Sequence, residues 1–489
     1  NNNWTSPTEP SSSQAALFDS LGITNGKTAV NLDSSYTIRG ITFGTGATSG
    51  YNITSTNSGT QSITLSYATG VPFIQQKSNS TQTIAIDSLI LGGSTVADIT
   101  GSGDLVISAP ISQSGTRSLI RDGNGTGKLI LSGNNTFSGG TYINKGVVQA
   151  QSSGALGTGT TVIADSAALE LSNSGTISNA INVTGSGVGG TGAIRSLAGN
   201  NTLSGTLTET GDTRIVADAG SLTLSGNLTG TNTNTTFAGA GSITANQITT
   251  GSGNVIIDNT AVTFAGGNAN TYTSTTTLNS GSLTLNKTAG VNAIGTGGLV
   301  VNAGTVTLNQ NNQIADAAIV TLNNSGTLNI NGKSERVAQL NSASTTSTVA
   351  LGTGNITVGA AGVNNSTYAG QITGTAGSAF NVNGGGTVYI SGNNTGFSGT
   401  TNVTAGSLNV SGSNNVMGSG AVNVASGGNL QVQGGLNIGN AITLNGVGTA
   451  ANGALENYTG NNTISGNVAL GSASRINSAA GTLTVSGNI

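Results

Sequence analysis

The chain contains no cysteine and no histidine. The first absence excludes disulfides, thiolate metal ligands and a thiol nucleophile, and the second removes the commonest general base and metal ligand. Charge is scarce, with 13 Lys and Arg and 16 Asp and Glu among 489 residues, a net charge of −3 and a pI near 4.8. The basic residues are scattered singly, so no cationic surface for nucleic acid is expected. No apolar run approaches the roughly 18 residues of a membrane helix. A membrane β-barrel would need aromatic girdles, and 8 Phe, 8 Tyr and 1 Trp are too few and too dispersed to make them. The opening NNNWTSP has neither Met nor an apolar stretch and reads as a processed or cut start.

What the chain does have is glycine, 79 residues of it, together with Ser, Thr and Asn. Such a composition suits a disordered chain, but the pattern does not. Short alternating runs such as SLTLSG (221–226), TVTLNQ (305–310) and SLNVSG (407–412) recur throughout, each bounded by Gly or Asn. No helix-length window carries an apolar 3.6-residue stripe free of Gly, so the expected fold class is all-β.

The runs belong to a longer repeat. NTFSGGTYINKGVVQA (135–150) returns as NTYTSTTTLNSGSLTL (270–285) and as TGFSGTTNVTAGSLNV (395–410), with a shared Gly at 146, 281 and 406. GNNTLSGTLTETGDTRIVADAGSLTLSGNL (199–228) likewise aligns without gaps on GNNTISGNVALGSASRINSAAGTLTVSGNI (460–489). Three blocks of about 130 residues follow a leading region: 1–110, then 111–245, 246–381 and an incomplete 382–489. A block that long reads as several coils of twenty-odd residues in a parallel β-solenoid. Stacked coils satisfy the backbone along the axis, and Val, Ile, Leu and Ala fill a narrow core where aromatics are expected to fit poorly. Gly and Asn supply the corners, and Pro7, Pro10, Pro72 and Pro110 all precede the blocks. Alternation places Leu129, Leu131, Ile143, Val148, Leu222, Leu224, Leu283, Leu285, Leu408 and Val410 inside.

GKLILSGNNTFSGGTYINKGVVQA (127–150), followed by ALGTGTTVIADSAALEL (155–171) and NAINVTGSG (179–187), resembles the autotransporter-associated β-strand repeat, whose core reads L-x-L-S-G-x-N-x-[FY]-x-G-x-T. The third copy carries one extra residue in NNTGFSGTT, and the second has lost the L-S-G-x-N segment. The stretch from Trp4 through residues 15–43 is similar to the region that leads into such repeats. The resemblance implies a right-handed β-helical passenger, exported and displayed at the cell surface or outside the cell.

Candidate sites are few. DGNGTGK (122–128) fails as a P-loop, since Asp122 stands for the first Gly and Leu129 for the Ser or Thr. As a Ca²⁺ loop it offers Asp122, Asn124 and Thr126 but has Gly133 where a bidentate Glu belongs. A glycosidase needs two facing carboxylates. The densest acids are Glu209, Asp212 and Asp218 with Arg214, and the aligned copy keeps Arg475 but has Leu470, Ala473 and Ala479 in their place. A lyase-like site would need Asp104 and Asp122 stacked on adjacent coils. The plainer expectation for all of them is solvated surface acids. Lys333, Glu335 and Arg336 are expected to form a solvated bulge. Asn-x-Thr triplets such as Asn52-Ile53-Thr54 carry no weight in so Asn- and Thr-rich a chain, and an ice-binding face would need a Thr-x-Thr register that the spelling of TYTSTTTL (271–278) does not sustain.

No catalytic residue, cofactor or metal is therefore expected, and stability should rest on backbone ladders and aliphatic core without a substantial ion-pair network. The expected function is an extracellular structural or adhesive β-solenoid. Its partners would be copies of itself head-to-tail, or glycans and cell surfaces, with no nucleic acid and no membrane insertion. TLTVSGNI (482–489) lacks a polar cap, as expected of a fragment of a longer passenger or of an end that docks on another copy. The alternative function is a carbohydrate-active β-helix enzyme.

Overall fold

The structure, a computed structural model, describes residues 11–19, 29–56, 59–360, 362 and 365–489. Trp4, Pro7, Pro10 and part of the leading region lie outside them. Short parallel strands make up the described chain, with two single-turn 3-10 segments, Val188–Gly190 and Thr449–Ala451. The chain forms a parallel β-solenoid, organised as two compact units, Asn1–Thr250 and Gly251–Ile489.

In the first unit one core column runs Leu105, Leu129, Val148, Leu169, Ile194, Ile215 and Phe237, each in register with the next. A coil thus takes twenty-odd residues, and all seven side chains are fully buried. A second column runs Ile181, Leu207, Leu228 and Ile248. The second unit repeats the design with Leu283, Val306, Leu328, Val349 and Ile372 and with Leu408, Leu430 and Leu455. All ten inward residues expected from alternation are buried. The physical reason is period two: Thr223 between Leu222 and Leu224, and Thr284 between Leu283 and Leu285, lie on the opposite, partly exposed face, and a slip by one residue would expose the apolar set.

The aromatic expectation is corrected. Seven of the eight Phe are buried, and for Phe137 the adjoining coil supplies a glycine where the ring needs room. The Phe137 ring lies where a Cβ on Gly157 would come within 2.9 Å of it. The shared glycines of the three blocks also have a common cause, with φ of 66° at Gly146, 92° at Gly281 and 76° at Gly406, a region costly for other residues. Blocks one and three fold alike in detail. Gly187 (φ 80°, ψ −179°) and Gly448 (φ 76°, ψ −178°) open the two 3-10 turns in the same conformation.

Candidate functional site

The glycine turn 122–128 is built around a residue that sequence reasoning passed over. Arg121 follows Leu119 at strand spacing, lies in register with Ala97 and Ile143, and is fully buried. Its Nη1 donates to the carbonyls of Asp122 and Gly123, the latter at 3.2 Å. Its Nη2 donates to those of Gly125 at 3.4 Å and Gly127 at 2.8 Å. Burial lowers the guanidinium pKa to about 10, against the opposing influence of Asp122 and Asp98. The backbone groups of the turn are already committed on this geometry. Carbonyls turned onto a buried cation are not free to ligate Ca²⁺. The amides are spent as well: Gly125 N donates to Ile99 O at 2.9 Å, Gly127 N to Gly101 O at 3.2 Å and Lys128 N to Asp104 Oδ1 at 2.8 Å, so no phosphate cradle forms.

The acids are not all solvated, which corrects the expectation. Glu209 shares a strand face with Leu207 and points inward. It is 2% exposed, and burial raises its pKa to about 8 although Thr233 and Thr235 both donate to it at 2.9 Å. Asp212 instead accepts from Asn234 N at 2.9 Å, and Asp218 accepts from Arg195 Nε at 2.5 Å. The three carboxyls thus face three different partners, and no pair confronts a common substrate. Asp104 and Asp122 are not stacked; the aspartate in register with Asp122 is Asp98.

A charged ladder does exist. Lys128 Nζ meets Glu170 at 2.6 Å, Glu170 meets Arg195 at 3.4 Å, and Arg195 meets Asp218 at 2.5 Å. Glu170 is 3% exposed, so the expected absence of an ion-pair network is corrected as well. Block three carries an amide-linked version without ion pairs in the same column: Asn409 Nδ2 donates to Gln431 at 3.1 Å and Gln431 Nε2 to Glu456 at 2.8 Å.

Lys333, Glu335 and Arg336 do not form a solvated bulge. Ser334–Val337 is a strand paired with Asn355–Val358. Glu335 is 3% exposed and accepts the amides of Gln313 at 2.7 Å and Arg336 at 3.0 Å, and burial pushes its pKa up to about 7. Arg336 donates to Gly359 O and Asn383 O, both at 3.1 Å. Lys287, also fully buried, donates from Nζ to Ala265 O at 2.8 Å, and burial lowers its pKa to about 8.

Threonines do fall in register in places. Thr176, Thr202, Thr223 and Thr244 form one outward column, and Thr305 and Thr307 follow Ser282 and Thr284. The paired array lapses at Asn329 and Ala350 on the next two coils.

The repeated Asn of the SGNN turn is a coil-to-coil staple. Asn135 Oδ1 accepts from Ile111 N at 2.8 Å on the preceding coil, while its Nδ2 donates to Ala155 O at 2.5 Å on the following one. Asn394 does the same between Ile372 and Val416, at 2.7 and 2.6 Å. Asn270 in the second copy donates to Ala293 O at 2.8 Å, so that copy keeps the staple despite its degenerate spelling.

One open cleft of about 510 Å³ lies beside the glycine turn, lined by residues 123–126, 144–147, 165–166 and Val188. Lys145 on its wall stands 3.8 Å from Asp122.

The chain is thus a parallel β-solenoid whose repeated motif residues are coil-to-coil staples. Residues 124–150 and 380–410 match the passenger-associated-transport-repeat, and the β-solenoid is consistent with a passenger repeat protein of the autotransporter kind. That repeat family implies export to the cell surface or the extracellular space. No curated protein and no solved structure matches the chain.

Proposed function

We propose that this chain is an exported structural passenger, a β-solenoid that presents adhesive or fibre-forming surface outside the cell. The observation that carries the reading is the double bond of Asn135 and Asn394 to the coils on either side of them, because it assigns the motif residues of both matched repeats to building coils. Net charge of −3 on 489 residues puts little repulsion between neighbouring copies, which favours close packing into a fibre or coat, with copies meeting head-to-tail. Glu209, Asp212 and Asp218 each serve a structural partner, which weighs against the carbohydrate-active enzyme.

The test is surface exposure on intact cells of the source organism. A tag inserted at Gly189, with nothing within 4 Å of a Cβ built there, should be reached by antibody without permeabilisation. Labelling only after permeabilisation would defeat the reading. Sedimentation velocity of the purified chain separates the fibre-forming form from a monomeric display.

A further inference from the structure

The cleft beside the glycine turn is a place where block one departs from block three although the two turns fold alike. Gly185 packs against Asp165 as Gly446 packs against Ser426, which fixes the correspondence. On that alignment Lys145 is replaced by Ala405, Asp165 by Ser426, Ser166 by Gly427 and Val188 by Thr449. In block three Thr449 Oγ1 donates to Gly406 O and Gly427 O, both at 3.2 Å, and draws the overhanging turn down onto the strand. Val188 has no hydroxyl to do so, and it stands 39% exposed at the rim of the cleft. Ser166 holds φ 62°, where its counterpart is a glycine at φ 95°. Block three shows that the coil forms without these charges. An exposed Lys145–Asp122 pair contributes roughly 0–1 kcal/mol, too little to explain them as stabilisers.

We propose that this cleft binds an uncharged saccharide unit, the ligand class that would give the exported passenger a specific adhesive contact. Its volume of about 510 Å³ lies within the roughly 300–1,000 Å³ of small-molecule sites. A sugar ring presents hydroxyls that both donate and accept. Asp165 accepts from them, Lys145 and the Asn124 and Asn144 amides donate, and Val188 offers an apolar edge to the ring's C–H face. Asp122 stands 3.8 Å from the Lys145 ammonium and offsets it, and Asp165 adds a negative charge to the lining, which turns away sulfated, phosphorylated and acidic sugars. The proposal rests on the exported, adhesive reading above.

The experiment titrates the purified full chain with neutral gluco-, manno- and galacto-trisaccharides, and with sialyllactose as an acidic control, by ligand-observed NMR and calorimetry. At least one neutral trisaccharide should bind in preference to sialyllactose. K145A/D165S, which installs the block-three residues, should weaken that binding about tenfold or more, and V188T should weaken it by closing the turn. Unchanged circular dichroism and melting in both variants would assign the loss to the cleft. Binding that survives both variants unchanged, no binding of any neutral trisaccharide, or preference for sialyllactose would overturn the proposal. None of these outcomes touches the surface-labelling test, so the two readings fail separately.

Discussion

Asn135 and Ile111 sit on successive coils, and the Asn135 carboxamide oxygen takes the Ile111 amide at 2.8 Å while its nitrogen reaches up to Ala155. One side chain, 4% exposed, therefore satisfies a buried donor below and a buried acceptor above. Asn135→Ala leaves both without a partner, at about 1–3 kcal/mol each. We expect N135A, and likewise N394A, to lower the urea midpoint of the full chain by the equivalent of about 2 kcal/mol or more. N135D should do no better, since it restores the acceptor but sets a carboxylate against the Ala155 carbonyl. A variant melting with the parent would remove the staple from the argument.

The buried Arg121 makes a different prediction. Arg121→Met keeps the bulk but strands the carbonyls of residues 122, 123, 125 and 127, and should cost about 3 kcal/mol or more. Because a guanidinium already occupies the inside of this turn, neither EDTA nor added Ca²⁺ should move the melting temperature of the parent chain. A clear fall on adding EDTA would revive a Ca²⁺ site at Asp122.

These cases also show how far the chain could be read before its structure. Strand alternation placed Leu129, Val148 and Leu283 inside because an apolar side chain and an inward position agree. The same alternation puts Arg121 in phase with Leu119, Glu209 with Leu207 and Glu335 with Val337. What defeated the reading there was charge, which argues for solvent unless partners are known. Those partners are Gly127 O, Thr233 and Thr235, and the Gln313 amide, supplied by turns and coils that only the folded register brings together. The ion ladder was illegible for a related reason, since Lys128 and Glu170 meet across intervening coils. The cleft was legible only as the glycine turn on its edge.

Buried Glu209 and Glu335 set the pH dependence. Their folded pKa values, about 8 and about 7, lie above the roughly 4.3 of an unfolded Glu. The native state then holds more protons than the unfolded chain, so stability is fully present below about pH 4.3 and is lost as pH rises through 7 and 8. The melting temperature should fall between pH 5 and pH 8, and Glu209→Gln should flatten that fall. A parent chain whose melting rises steadily over this range, or an E209Q variant with an unchanged profile, would show that the carboxyl is ionised in the fold.

The ion-paired ladder of block one can be tested against its amide-linked counterpart in block three. Glu170 and Arg195 occupy the register positions that Gln431 and Glu456 occupy in block three, and there the amide donates to the carboxylate at 2.8 Å. Arg195→Glu alone sets a second carboxylate beside the buried Glu170 at a position 30% exposed, and should cost about 1–3 kcal/mol, below the cost of breaking a fully buried pair. E170Q alone removes the charge that Lys128 meets at 2.6 Å and should cost less, because Lys128 is a third exposed and can turn to solvent. The double variant E170Q/R195E recreates the block-three pair, so the two changes should not add. The double-mutant cycle should give about 1 kcal/mol or more of favourable coupling. Strict additivity in urea unfolding would mean that the two residues do not interact, and that the resemblance between the two ladders is one of position alone.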